Sequence, residues 1–237
     1  MTGGRVDNPP PVSAIAVALE PSGLVPRGWL APETDFAPSL TNGKPAKAIC
    51  LVGHAGGGFW PLFATWRQMH PGIDEPLDTW SRVVIDPVAV SLGGEAVFPS
   101  DKPWHPFQHW AMIAEGLKPS PLGMLIHPEF GLWHGYRGAI LFDVDAASNS
   151  LCSKASPPTP VNHPCDICPD KPCLKVCPVD AFAPDGMTLS ACRDYLKLDK
   201  GQQGCMKSGC LARDACPVGR SYRYGAEQIR FHMAAYS

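Results

Sequence analysis

At 237 residues, 45% of them apolar, the chain can build one large or two small domains with buried cores, and seven Trp and nine Phe supply bulk to fill them. Its 20 basic and 22 acidic residues form no long run of either sign. The electrostatic footprint of a nucleic-acid binder is therefore missing, which excludes DNA and disfavours tRNA as partners. Met1 to Val12 has neither the basic flank nor the apolar run of a secretory leader, and no stretch reaches the roughly 20 apolar residues of a membrane span. The address expected is the cytoplasm, with no membrane partner.

Proline, 27 residues, punctuates the chain at 8–11, 21–38 and 156–160, and these segments read as loops. The run 47–53 (KAICLVG) is a strand candidate, the turn GHAGGG (53–58) follows, and 59–69 can be helical. Residues 76–92 have apolar positions at helical spacing, with Pro87 expected to kink or split the helix. A short strand is expected over 95–99. Residues 104–116 again have helical spacing, with Phe107, Trp110 and Ala114 on one face, and 136–142 (YRGAILF) is the best strand. The tract 148–164 reads as a linker. Strands and helices mix without strict alternation, so the expectation is an α+β fold with domains at 1–150 and 151–237. The tail 224–236 reads as a helix packing back on the first domain.

Of ten cysteines, eight fall between Cys165 and Cys216, a crowding that points to metal in a reducing compartment. The first group is Cys165-x2-Cys168-x4-Cys173-x3-Cys177-Pro178. The second is Cys192, then Cys205-x4-Cys210-x5-Cys216-Pro217. Tetrahedral zinc and redox thiols are the competing readings. Each half closes on Cys-Pro, which resembles two-cluster ferredoxins, where the Cys before proline crosses to the other cluster. That resemblance implies two 4Fe-4S clusters, one on Cys165, Cys168, Cys173 and Cys216, the other on Cys177, Cys192, Cys205 and Cys210. Cys50, inside an apolar strand, reads as a small buried hydrophobe, and Cys152 has no assigned role.

The glycine turn offers a second candidate site. Backbone amides at Gly56 and Gly57, with His54 beside them, could approach a phosphate or an amide-bearing cofactor tail at a helix N-terminus. The alternative is a tight turn that permits close packing.

The cysteine pattern with Cys192, Tyr195 and Leu196 is similar to the ferredoxin module of epoxyqueuosine reductases. The segment LGMLIHPEFGLWHGYRGAILF (122–142) resembles one in CblC-type cobalamin-processing proteins, with the match on His127, Pro128, Phe130, Gly131, Trp133, Arg137 and Gly138. Both families share a nitroreductase-related α+β domain that binds cobalamin. The resemblance therefore implies a corrinoid-binding first domain wired to a ferredoxin-like module, with His127, Phe130 and Trp133 at the cofactor. His54, His105 and His109 compete with His127 for that role. It also makes Asp74 or Asp78, ahead of an expected active-site helix, the counterpart of the family's catalytic aspartate.

The expected function is a reductase passing electrons from a donor such as a flavodoxin or a ferredoxin reductase to a corrinoid or small-molecule substrate. A ferredoxin-like carrier without catalysis and a flavin-using reductase are the rival readings.

Overall fold

The computed structural model describes residues 10–33, 37–144, 163–183 and 186–236. The expected linker (all but its last two residues), the expected boundary at 150 and Cys152 lie outside them. The fold is α+β, and no helix among the described residues is long and apolar enough to cross a membrane.

The chain forms two compact units that interleave along the sequence. One comprises residues 1–54, 58–116 and 135–160, the other residues 55–57, 117–134 and 161–237. The segment 117–134, which a single cut at 150 assigns to the first domain, thus packs with the cysteine-rich stretch.

The first unit is built on a four-stranded sheet in the order β1-β2-β6-β3, from β1 (Val25–Leu30), β2 (Ala48–Ala55), β3 (Glu95–Val97) and β6 (His134–Phe142). The end residues Ala55 and His134 group with the second unit. β2 and β6 are the central strands, and their apolar runs, 49–52 and 139–142, are almost wholly buried. Near-continuous hydrophobic sequence of this kind suits a strand covered on both faces. Around the sheet lie α1 (Val12–Leu19), α2 (Trp60–Met69), α3 (Pro76–Ser91) and α4 (Phe107–Glu115), with α1 and α4 against β1 and α3 against β3.

Two departures from the sequence expectations have local causes. β1 forms inside the proline-rich segment 21–38 because it is an edge strand, where the missing amide of Pro26 breaks no ladder. Its register shifts between Pro26 and Trp29, and Gly28 (φ 104) sits in that bulge. A Cβ there would lie 3.0 Å from the Ala114 carbonyl oxygen, so the glycine admits α4. α3 runs unbroken through Pro87. Pro87 and Val83, whose carbonyl loses its intrahelical donor, are both exposed, so water can satisfy that oxygen.

The aromatics behave as core. Trp60, Phe63 and Trp80 pack with Phe59, with Phe59–Trp80 and Phe63–Trp80 centroids each 5.7 Å apart. Trp110 is buried, whereas Trp66 is only half-buried and stacks on exposed His70.

The most deeply placed charges also lie in this unit. The Arg27 guanidinium makes a two-point bridge to Glu115 (2.7 and 2.9 Å) and donates to the His54 carbonyl at 2.8 Å. Tyr136 Oη donates to Glu115 Oε2 at 2.6 Å, and its ring lies under the guanidinium. The network joins β1, β2, α4 and β6.

Among its described residues the second unit holds the hairpin β4 (Lys118–Pro119) and β5 (Leu125–Ile126), the pair β7 (Phe182–Ala183) and β8 (Gly186–Met187), and five short helices. These are α5 (Leu189–Lys197), α6 (Asp199–Gln203), α7 (Cys205–Ser208), α8 (Leu211–Asp214) and α9 (Ala226–Ala234). The tail helix, α9, packs within this unit: it lies on α7, and Ile229 meets Trp133 and Tyr224.

Candidate metal centre

The eight clustered cysteines all belong to the second unit and sit on short elements. Cys165 lies in a turn, Cys168 in irregular chain just after it, and Cys173 is on the 3-10 turn Pro172–Leu174. Cys192 is on α5, Cys205 opens α7, and Cys210 caps α8. Cys216 follows α8 and packs with Leu122, Ile126, Leu132 and Ala212, against which Cys165, Cys173 and Cys210 also lie.

The thiols fall into two neighbourhoods that do not follow chain order. Burial pushes the Cys165 thiol up to about 11, and the nearby Cys216, Cys173 and Cys168 add to that rise. Cys173 is likewise raised, by burial and then by Cys216 and Cys168. Cys192 is raised by burial and then by Cys210, Cys177 and Cys205. Burial also raises Cys210, whose other thiol neighbours are Cys205 and Cys177. Cys216, distant in sequence, therefore joins the first three cysteines, and Cys177 joins the later group.

Main-chain amides point at several of these sulfurs. Ala181 N–H donates to Cys177 Sγ at 3.4 Å. The amides of Ala212 and Arg213 serve Cys210, that of Leu174 serves Cys173, and that of Val218 serves Cys216. Such donors favour negative charge on sulfur.

Among the described residues, no group of three or more His, Cys, Asp and Glu side chains is drawn together tightly enough to clasp a metal ion as they stand. The donor chemistry fits a metal cluster all the same: two sets of four thiols, each served by backbone donors. Thiols raised by burial and by one another are poor nucleophiles, which weighs against reactive redox thiols.

The resemblance segment borders the first set. Residues 127–131 form a tight turn, with His127 and Gly131 exchanging backbone hydrogen bonds of 2.9 Å. His127 Nδ1 accepts the amides of Glu129 and Phe130 at 3.1 Å each, so that nitrogen carries no proton, and the ring stacks on Phe130 at 4.0 Å. The turn is pressed against the chain that follows Cys216. A Cβ on Gly131 would come 2.1 Å from the Val218 oxygen, and one on Gly219 would come 2.2 Å from the Phe130 carbonyl carbon.

Most of the expected cofactor residues meet here. Phe130 packs edge-on to Tyr222 at 4.8 Å, and Tyr222 hydrogen-bonds Glu129. Gly56 (φ 61) lies against Tyr222 and donates its amide to the Trp133 carbonyl at 2.7 Å, while Gly57 faces Gln228. Trp133 packs on Tyr224 and lies under the Arg213 guanidinium. His54, by contrast, is buried in the first unit, its ring tilted against Phe59 with centroids 4.4 Å apart.

Asp74 and Asp78 also lie in the first unit. Asp74 is exposed, and its carbonyl accepts a long bond from Thr79. Asp78 stands in the first turn of α3, with its Oδ1 3.7 Å from Arg137 Nη1 and both side chains partly exposed. Asp78→Asn is therefore expected to cost less than about 1 kcal/mol in urea denaturation. Cys50 is wholly buried in β2.

Sequence reasoning missed Arg27, Glu115 and Tyr136. The one signal was an arginine inside the otherwise apolar VPRGWL. It also missed the backbone contact between Gly131 and Val218, which no local pattern encodes.

No protein-family model matches the chain, and no curated protein matches it significantly.

Proposed function

We propose that the chain is an iron-sulfur electron-transfer protein. Cys165, Cys168, Cys173 and Cys216 would hold one four-iron cluster, and Cys177, Cys192, Cys205 and Cys210 the other. The observation that carries this reading is the sorting of the thiols into two foursomes across chain order. Each foursome draws one member from the far half of the motif, which is the ligand exchange of two-cluster ferredoxins.

A four-iron cluster, when bound, stores and releases one electron at a time. The chain's own part is to fix the sulfurs on short turns, to shield Cys205 and Cys216 from water, and to aim amides at Cys177, Cys173, Cys210 and Cys216. Amide donors and local charge set the potential at which the electron is taken up.

We read the second unit as ferredoxin-like and the first as nitroreductase-related, in a reducing cytoplasm. The acceptor we propose is a corrinoid, a reading that comes from the resemblance at residues 122–142. The meeting of Gly56, Phe130 and Trp133 around two tyrosines supports it, since a large planar cofactor needs aromatic walls and few polar anchors.

Anaerobic purification with metal analysis tests the proposal. About eight iron and about eight sulfide per chain are expected, and zinc in place of iron would overturn it. Cys192→Ala should remove about half of the iron, while Cys50→Ala should leave it unchanged. Cobalt near one per chain after reconstitution supports the corrinoid. Iron without cobalt favours the simple carrier, and a released chromophore with a flavin spectrum favours the flavin reductase.

A further inference from the structure

Gln228, in the first turn of α9, is wholly buried, and among the described residues neither its Oε1 nor its Nε2 has a hydrogen-bond partner. By contrast Gln202, in the same unit, donates to the Leu196 carbonyl at 2.7 Å. A buried carboxamide with neither its acceptor nor its donor met costs stability, and the fold itself supplies nothing for this one to bond.

The orphaned group is aimed at the glycine turn. A Cβ on Gly57 would stand 3.0 Å from Gln228 Oε1, so on that side the amide is covered by main chain with no side chain. The neighbouring Ile229 packs with Trp133 and Tyr224, and the Gly56 amide donates to the Trp133 carbonyl. Gln228 thus belongs to the same part of the second unit as Gly56 and Trp133, two of the residues proposed to receive a planar cofactor.

A carboxamide presents an acceptor and a donor side by side, and its complement is a second amide edge. A phosphate offers acceptors alone and would leave Oε1 unmet. The rim carboxamides of a corrinoid and the lactam edge of a flavin ring both satisfy the two atoms. We propose that Gln228, behind Gly57, recognises an amide edge of the cofactor, with Oε1 accepting the ligand N–H and Nε2 donating to the ligand carbonyl. The inference rests on the cofactor-binding reading above. Because the amide is closed off from solvent, the Gly57 main chain must swing out to admit that edge, and a glycine is the least bulk to displace.

The test compares wild type with Gln228→Met, which keeps length and helix propensity but cannot form the two bonds. Full-length protein is titrated with cobinamide and, separately, with riboflavin, each carrying an amide edge without a phosphate. Urea unfolding of the ligand-free protein is followed by circular dichroism. Wild type should bind one probe, which identifies the source of the edge, and Gln228→Met should bind it at least about tenfold more weakly. The urea midpoint of Gln228→Met should equal or exceed that of wild type, since no orphaned amide remains. A lower midpoint would mean that the amide is satisfied within the fold, and this or unchanged affinity in the variant overturns the inference while leaving the cofactor reading in place. Failure of wild type to bind either probe overturns both, and the iron content of the same sample keeps the cluster reading separate.

Discussion

Replacing Glu115 with alanine is expected to destabilise the first unit by about 3–5 kcal/mol, because it strands the Arg27 guanidinium in a place where water cannot reach it. The Arg27 side chain is 2% exposed and that of Glu115 13%. With the carboxylate gone, Arg27 loses both legs of its bridge and keeps the His54 carbonyl, while the Tyr136 hydroxyl loses its acceptor. Six of the seven tryptophans, all but Trp133, lie in this unit, so the urea transition followed by tryptophan fluorescence reports on it. A drop below about 1 kcal/mol would show that the bridge is not the fastening argued here.

Two companion variants locate the cost. Arg27→Met/Glu115→Leu removes both charges and should be milder than Glu115→Ala alone, since no ion is left unpaired. Tyr136→Phe should cost about 1.5–3 kcal/mol, the range for a hydrogen bond to a charged group. Burial, and then the Glu115 carboxylate, hold the Tyr136 phenol well above the usual tyrosine range, so it stays a donor at neutral pH. With the folded value raised, the contribution is complete below the unfolded value of about 10 and is lost as the pH rises beyond it.

This network also marks how far sequence alone could go. Central strands such as β2 and β6 were legible because burial on both faces demands a continuous apolar run, and that demand is local. The helices α2, α3 and α4 were legible from spacing. The β1 strand was not, because its edge position, which tolerates Pro26 and needs Gly28, is a property of the whole sheet. The persistence of α3 through Pro87 depends on which face meets water, which periodicity does not weigh. At the candidate site the cysteines announced themselves by spacing, whereas the packing of residues 117–134 with them has no signature in either segment. His127 stood out by resemblance, yet its described role is local: it accepts two amides and shapes a turn.

That turn carries the other large expected effect. If the proposed two-cluster reading holds, Gly131→Ala should cost the protein the first of the two proposed clusters and spare the second, lowering iron from about eight to about four per chain. Gly131 has φ 58, a region that side chains rarely occupy, and the added Cβ would stand 2.1 Å from the Val218 oxygen, with backbone on both sides of the contact. Neither partner is the flexible end of a side chain, so the turn and the Val218–Gly219 segment must move apart. Cys216 is two residues from Val218, with its own amide bonded to the Arg213 carbonyl and its sulfur served by the Val218 amide. Displacing Val218 therefore drags on the one cysteine that the first set takes from the far half of the motif. Gly219→Ala, at φ 70 and 2.2 Å from the Phe130 carbonyl carbon, should reproduce the loss from the other side of the contact. Gly225→Ala is the control in the same unit: nothing lies within 4 Å of its Cβ position and its φ of -64 suits any residue. Iron and sulfide counts on the three variants, with circular dichroism to verify that each folds, distinguish the outcomes. Retention of full iron in Gly131→Ala and Gly219→Ala would mean that the turn does not position Cys216, and equal loss from both clusters would mean that it supports the whole unit rather than one ligand.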